Sequence, residues 1–242
     1  MEVLRENIDA FAETPTDLRK TSMVIHTIKT GDAKPFKHRL RLISFARRQH
    51  LEQEVERLLE VGAISFADTG ACPHSLNTVF SPKKDGTLRK CIDYWDLNAK
   101  TKKDAFILPR IDQVWQSLAK AKYFASLDLL MKYHQVEVSE LDRFKTAFLT
   151  HRCLYVYNVM PFGLCNATVT FKRLMKEILR QLVGLSILIY LDKVLLYDED
   201  PERLIELLRK VLKLLIAAGL KCKDKNRYLF AKKHPISGTC GF

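Results

Sequence analysis

The chain has 242 residues, 47% of them hydrophobic and 28% charged, which is typical of a globular protein. Its 40 Lys and Arg residues outnumber 28 Asp and Glu residues, and the formal net charge of +12 favours a polyanionic partner such as nucleic acid. The chain has no uncharged apolar run near the ~20 residues of a membrane span, and its N-terminus lacks the apolar stretch of a secretory signal. We therefore expect an intracellular protein, in the cytoplasm or nucleus, that is not secreted and has no transmembrane segment.

The first half of the chain predicts a few helices and short strands. Residues 1–43 are polar and weakly patterned, and we interpret them as a lead-in arm. Apolar residues at helical spacing predict a helix over about 46–61, which Gly62 ends. The other predicted elements are strands near 63–67, 76–82 and 87–93 and a helix from Pro109 to about Leu118.

The second half predicts more hairpins, and its mixture of strands and helices indicates an α+β fold. A strand over 122–128 ends in Asp128, and a helix from Pro201 to Ala218 is stopped by Gly219. The other predicted elements are a strand over 134–138, a hairpin over 144–159, a helix over about 166–182 that Asn166 caps, a hairpin over 186–197 and a weak strand in the basic tail 221–242.

Two carboxylates stand at the ends of apolar strands. Asp128 ends the run from Tyr123, and Asp192 lies at the turn between two apolar, β-branched-rich runs. Carboxylates in such a pair are the ligands that two divalent cations require. Lys193 follows Asp192 at once and puts a cation where such a site would need a further anion.

A series of ordered motifs then narrows the interpretation. They are residues 24–35, 83–86, Asp93-Tyr94, Leu97-Asn98, 108–112, 121–124, 145–148 and 159–167. In this order they resemble the reverse transcriptase of gypsy-type (Ty3/gypsy) LTR retrotransposon polyproteins, in a degenerate copy. The resemblance covers about 24–230, which is nearly the whole chain.

This resemblance implies the fingers and palm of a right-handed polymerase, with an antiparallel palm sheet backed by helices. The implied organisation is a fingers-like part over 44–120, together with about 144–160, and a palm-like part over 121–242. Because the chain ends close to where the palm ends in that family, we expect it to contain no thumb and no ribonuclease H domain.

The implied activity is RNA-directed DNA synthesis by two-metal phosphoryl transfer. Asp128 and Asp192 match the catalytic aspartates, and the backbone carbonyl of Leu129 would be a further ligand of two Mg²⁺ (or Mn²⁺) ions. In the family these ions activate the primer 3′-hydroxyl and neutralise the triphosphate. The implied partners are an RNA or DNA template–primer and a deoxynucleoside triphosphate, and the sequence indicates no oligomeric state.

Four further residues match the substrate-binding positions of the family. Lys83 and Arg89 correspond to residues that clasp the triphosphate, Tyr133 to the aromatic wall that excludes a ribose 2′-hydroxyl, and Phe162 to the lining of the nucleotide pocket. Taken singly, each has an ordinary interpretation as a solvated hairpin charge or a core aromatic residue.

Three residues depart from the family pattern. Lys193 replaces the second hairpin aspartate, Lys132 stands where a tight turn usually has glycine, and Trp95 replaces an arginine of the template-facing fingers. A unit charge and a divalent ion about 4 Å apart interact by roughly 8 kcal/mol at an effective dielectric constant of about 20, so we expect weak metal binding and little or no polymerisation.

Three functions remain open from the sequence. The chain is a reverse transcriptase domain with lost or strongly impaired chemistry, a non-catalytic pseudoenzyme that binds nucleic acid, or a relic of a retroelement. Steep salt dependence of binding without nucleotide incorporation would favour the second, and broad, non-cooperative unfolding would favour the third.

Overall fold

The computed structural model describes residues 2–14, 16–68, 72–82, 88–105, 118, 121–182, 186–190, 193–223 and 229–231. The α-helices are α1 (Glu2–Glu6), α2 (Phe45–Glu60), α3 (Trp95–Lys100), α4 (Glu140–Arg143), α5 (Ala167–Ile178) and α6 (Pro201–Ala217). The strands are β1 (Thr21–His26), β2 (Ile64–Phe66), β3 (Leu76–Pro82), β4 (Leu88–Ile92), β5 (Tyr123–Asp128), β6 (Val136–Val138), β7 (Phe148–Leu149), β8 (Leu154–Tyr157), β9 (Ile187–Tyr190), β10 (Lys193–Asp198) and β11 (Leu229–Ala231). Short 3-10 helices cover Ile8–Ala10, Lys132–Gln135, Phe144–Thr146 and Arg180–Leu182. No helix within these ranges is long and apolar enough to span a membrane.

The chain forms two compact units, each assembled from separate segments. Unit 1 contains Met1–Met23, Ala105–Lys132 and Phe171–Phe242. Unit 2 contains Val24–Asp104 and Tyr133–Thr170. Residues 1–43, interpreted as a lead-in arm, include α1 and β1 and so contribute regular structure.

Unit 1 is built on a four-stranded antiparallel sheet in the order β11-β5-β10-β9. Helix α6 packs on β5 and β10. It does so through Leu204, Leu208, Val211 and Leu215, which recur at helical spacing and are all buried. The strands are apolar enough to complete this core, and the expectation of an antiparallel sheet backed by a helix is therefore confirmed.

Unit 2 contains a five-stranded sheet in the order β2-β8-β7-β3-β4. Its neighbours are antiparallel except β3 and β7, which run parallel. Leu51 and Leu58 lie seven positions apart on α2 and are buried, as is Phe148 in the central strand β7. The periodic spacing that predicted α2 therefore identifies the helix face that contributes to the unit 2 core.

Two glycines end the two longest helices as the sequence predicts. Gly62 follows α2 with φ 63°, and Gly219 follows α6 with φ 69°. After α2, the Gly62 N–H donates to Leu59 and the Ala63 N–H to Leu58, and the same pattern follows α6. Because this cap needs a left-handed residue, glycine is the residue that satisfies the last carbonyls without strain.

Within the described residues, the structure differs from two of the predicted elements. The predicted strand over 134–138 is a 3-10 turn up to Gln135, because Tyr133, His134 and Gln135 are all buried and a half-buried strand alternates. The predicted helix over 166–182 ends at Ile178 and tightens into a 3-10 turn that buries Leu179 and Leu182. The helix predicted from Pro109 lies outside the described residues, apart from Leu118.

Asn166 precedes α5, as predicted, but its side chain serves another purpose. Its amide accepts a hydrogen bond from the Asp104 backbone N–H and donates to the Lys102 carbonyl. In these contacts the Asn166 side chain binds the backbone of the loop after α3 instead of capping α5. The two segments are about 60 residues apart, so the local sequence does not predict this contact.

Candidate active site

Asp128 ends β5 in unit 1, at the edge where the β9–β10 hairpin turns. The predicted hairpin is confirmed, because Lys193 pairs with Tyr190 across it. Lys193 also pairs directly with Asp128 in the antiparallel register of β10 and β5. Residues opposite each other in such a pair project from the same face of the sheet, and Lys193 is exposed. Leu191 and Asp192 lie outside the described residues.

A second lysine flanks Asp128 on its other side. The Lys223 backbone N–H donates to the Asp128 carbonyl at 2.8 Å. Its side-chain Nζ forms an ion pair with Asp128 Oδ2 at 2.7 Å. Burial, with Asp128 nearby, raises the pKa of the neighbouring Cys222 thiol to about 12. Asp128 is therefore neutralised by a cation that the sequence analysis did not identify.

The oxygen ligands that the structure describes at this site are not suited to bind a pair of divalent cations. They are the Asp128 carboxylate, which is paired with Lys223, and the predicted carbonyl of Leu129. Within the described ranges, no group of three or more His, Cys, Asp and Glu side chains could hold a metal ion. Hard cations need several oxygen ligands, and ammonium groups beside the carboxylate oppose their binding.

Lys132 follows the tight turn after β5. The left-handed residue of this turn is Met131, with φ 39°, so the position that favours glycine is one residue before Lys132. Lys132 Nζ lies 6.0 Å from the centre of the Phe171 ring. Burial, and then the charge of Lys132, lowers the pKa of Lys172. Unit 1 thus carries two further cations, Lys132 and Lys172, close to Phe171, where its part of α5 begins.

In unit 2, Tyr133 and Phe162 lie in contact. Their ring centres are 5.0 Å apart in an edge-to-face arrangement. The Tyr133 hydroxyl shares a hydrogen bond of 2.9 Å with Thr168 Oγ1. Tyr133 is buried, whereas 44% of Phe162 is exposed. The two residues that the resemblance assigned to the nucleotide pocket therefore form one aromatic corner, and their roles stay predictions.

Residues for which no functional role was predicted hold the loop that carries Phe162. Gly163 has φ 99°, and a Cβ at this position would lie 3.3 Å from the Tyr94 ring. Asn98 donates to the Gly163 carbonyl at 2.7 Å and accepts from the Cys165 N–H at 2.8 Å. The Leu97-Asn98 motif marked Asn98 as part of the family pattern, but the motif alone does not predict the hydrogen bonds of Asn98 to Gly163 and Cys165.

The remaining predicted site residues lie on the β3–β4 hairpin and α3 of unit 2. Arg89 is exposed on β4 and pairs with Ser81 in the strand register. Lys83 lies outside the described residues. Trp95 begins α3 and is 80% exposed, so its large apolar surface faces outward from unit 2.

A buried ionisable cluster in unit 2 was not predicted. It consists of Glu54, Arg57, Lys90, His134 and Tyr157. Lys90 Nζ lies 4.4 Å from the centre of the Phe148 ring and 5.6 Å from that of Tyr157, and it has no hydrogen-bond partner in the described part of the chain. Burial lowers the pKa of Lys90 to about 8, although Glu54 opposes this shift. Burial, with Lys90 and Arg57 nearby, also lowers the pKa of His134 to about 4.

Solved structures share this fold. The protease–reverse transcriptase of prototype foamy virus superposes with a TM-score of 0.82 and 20% sequence identity, covering 92% of this chain and 29% of that one. A foamy viral protease–reverse transcriptase solved in complex with an RNA/DNA hybrid gives the same values. The fold is therefore that of polymerase fingers and palm, of mixed α+β content with an antiparallel sheet, as expected.

The family model for reverse transcriptase (RNA-dependent DNA polymerase) matches residues 81–236, and the chain belongs to this family. The retrovirus-related Pol polyprotein from transposon gypsy of Drosophila melanogaster is 32% identical over 226 residues, covering 90% of this chain and 22% of that protein. The transposon Tf2-3 polyprotein of Schizosaccharomyces pombe is 31% identical over 173 residues, covering 71% and 13%. The chain thus spans about a fifth or less of these relatives, and the likeness to gypsy-type retrotransposons is confirmed.

Proposed function

We propose that the chain is a reverse transcriptase domain that binds primer–template but whose nucleotide transfer is lost or strongly impaired. The observation that carries this proposal is the position of Asp128 between two lysines, with Lys223 at 2.7 Å and Lys193 opposite it in the strand register. Family membership supports RNA-directed DNA synthesis as the class of reaction. The foamy viral relative in complex with an RNA/DNA hybrid supports nucleic acid as the partner.

In this proposal the two lysines oppose the divalent cations that the family uses. An ammonium group beside a carboxylate satisfies its charge, so a metal ion has to displace Lys223 before Asp128 can bind it. Lys193 adds repulsion from the opposite strand, although its long side chain can turn toward solvent. The chain retains one carboxylate at the end of β5, whose charge Lys223 compensates, and another in the sequence at Asp192.

Unit 2 contributes groups of the kind that bind a nucleotide. We assign Arg89 and Lys83 to the triphosphate, since cationic side chains form strong charge-assisted hydrogen bonds with phosphate oxygens. The aromatic corner of Tyr133 and Phe162 is assigned to the sugar and base, because its flat rings offer a steric wall and a stacking surface. These assignments extend the family resemblance residue by residue.

Primer extension on an RNA template tests the proposal. The natural chain, Lys193→Asp and the double variant Lys193→Asp/Lys223→Ala are compared with Mg²⁺ and with Mn²⁺. We expect negligible extension by the natural chain, a gain with Lys193→Asp and a larger gain with the double variant, since each 1.4 kcal/mol of recovered transition-state stabilisation is about tenfold in rate. Adding Asp128→Asn to the double variant should abolish the gain. Extension by the natural chain at the rate of the variants would contradict the proposal.

The strongly basic composition favours a second candidate, a nucleic-acid-binding protein without catalysis. It predicts binding of primer–template by the natural chain and no extension by any variant of the series. Filter binding alongside the extension assay separates the two functions, because only the first predicts recovery of synthesis when Lys193 is replaced.

A further inference from the structure

We propose that Lys193 and Lys223 let this end of unit 1 bind the phosphate groups of nucleic acid directly, without a divalent cation. The inference rests on the proposed function, because it assigns the contact by which the domain holds its nucleic acid. The groups around Asp128 are cationic, whereas the metal site of the family requires several oxygen ligands.

The sheet places one lysine on each side of Asp128. At the Asp128 end, strand β5 lies between β10, which begins with Lys193, and the residues Cys222 and Lys223. The Lys223 ammonium carries three donors, and the bond to Asp128 Oδ2 occupies one of them. The ion pair therefore orients the Lys223 head group without exhausting its capacity to donate.

The cations of this site are more accessible than its anion. Lys193 is exposed, and the Lys223 side chain is 47% exposed against 30% for Asp128. A ligand that approaches from solvent meets ammonium groups before it meets the carboxylate. Lysine side chains in this setting bind phosphate as point charges and favour a phosphate oxygen over a metal ion.

The formal charge supports the same conclusion. Among the described side chains of this site, Asp128, Lys193 and Lys223 together carry a formal charge of +1, whereas an aspartate at 193 and a neutral residue at 223 would give −2. A neutral to positive site attracts the backbone of a polyanion without a bridging cation.

Fluorescence anisotropy with a labelled primer–template duplex tests this inference. Binding is measured in EDTA and in Mg²⁺ for the natural chain, Lys193→Gln/Lys223→Gln, and the matched control Lys210→Gln/Lys213→Gln, which removes two exposed lysines of α6. We expect the natural chain to bind equally well in both buffers. The first double variant should bind about tenfold more weakly. The slope of log K against log salt concentration should also become shallower by about 2, since each phosphate contact contributes about 0.9 to it. The control should lose much less.

The outcomes separate this inference from the proposed function. If the natural chain does not bind the duplex at all, the proposed function is wrong. If it binds only with Mg²⁺, or if both double variants lose affinity equally, the inference is wrong and the proposed function stands. Displacement of the duplex by free deoxynucleoside triphosphate in EDTA would assign the site to a triphosphate and overturn its assignment to nucleic acid.

A metal titration gives an independent readout. Electron paramagnetic resonance of Mn²⁺ should detect no saturable binding by the natural chain and saturable binding by Lys193→Asp/Lys223→Ala. Because both substitutions are at accessible side chains, melting temperatures should stay close to that of the natural chain. Saturable binding of Mn²⁺ by the natural chain would overturn the inference.

Discussion

The two units use ionisable side chains in opposite ways. In unit 2, the Lys90 ammonium is buried against the rings of Phe148 and Tyr157, and burial lowers its pKa to about 8. In unit 1, the exposed cluster of Asp128, Lys193 and Lys223 remains in contact with solvent. Buried charges act on stability, because their desolvation must be offset within the fold. Exposed charges act mainly on ligands, and salt screens them.

The largest loss of stability is expected when the Phe148 ring, which lies under the Lys90 ammonium, is removed. Phe148 is fully buried, and its ring contacts both Tyr155 and Tyr157. We expect Phe148→Ala to lower the free energy of unfolding by about 3–5 kcal/mol through loss of packing and the cavity left behind. Urea unfolding followed by circular dichroism measures the change. The matched control is Phe162→Ala, whose ring is 44% exposed, and an equal loss in both variants would contradict this account.

Acidification should destabilise unit 2 through its buried histidines. Burial lowers the pKa of both His26 and His134 to about 4, against about 6.5 in an unfolded chain. The unfolded state therefore binds more protons between these values, and stability is lost as pH falls from about 6.5 towards 4. The loss is at most about 3 kcal/mol for each histidine.

Unfolding free energies measured between pH 7 and pH 5 check this prediction. His134→Gln should reduce the slope of stability against pH, because one of the buried histidines, which also include His74 with a pKa lowered by burial, no longer titrates. A slope that is identical in the natural chain and in this variant would show that His134 is not the group responsible.

Two matched ion pairs sharpen the comparison between buried and exposed charges. Glu54 and Arg57 on α2 form two hydrogen bonds and are each about one-third exposed, whereas Glu177 and Arg180 have the same spacing and are 59% and 79% exposed. We expect Glu54→Gln to cost about 1–3 kcal/mol, since it leaves Arg57 and Lys90 without their anion. Glu177→Gln should cost less than about 0.5 kcal/mol. Thermal unfolding of both variants at equal salt tests the difference.

A further test of the buried cluster concerns Lys90 at alkaline pH. Its folded pKa of about 8 lies below the unfolded value of about 10.4, so the folded state favours the neutral amine. Stability should therefore rise with pH from about 8 upward and be lost as pH falls through 8. Lys90→Met removes the charge and keeps the length, so it should flatten this dependence and raise stability at pH 9 by up to about 2 kcal/mol. An unchanged slope between pH 7 and pH 9.5 would contradict the buried ammonium.

Local patterns predicted most of the regular structure. The spacing of Leu51, Val55 and Leu58 and the stop at Gly62 define α2, and the two apolar runs around Asp192 define the β9–β10 hairpin. These features depend on residues close in sequence, which is why they can be predicted from one chain. The 3-10 turn at Lys132–Gln135 escaped prediction because consecutive burial comes from tertiary packing.

The site was predicted less completely, because its decisive contacts join distant residues. Lys223 and Asp128 are 95 positions apart, and no local pattern links them. Lys90 lies in a strand where a cation ordinarily faces solvent, so its burial over Phe148 was not predictable. The family resemblance supplied Asp128, Tyr133 and Phe162, and the structure brings the last two into contact.

The separate segments of unit 1 also constrain how the protein is made. Lys221 Nζ donates to the Phe11 carbonyl, 210 positions earlier in the chain. At a translation rate of about 5–20 residues per second, Phe11 waits roughly 10–40 s for this partner to be synthesised. The last segment of unit 2 ends at Thr170 and leaves the ribosome sooner. Unit 2 can therefore be completed during synthesis before unit 1, whose last segment is translated later.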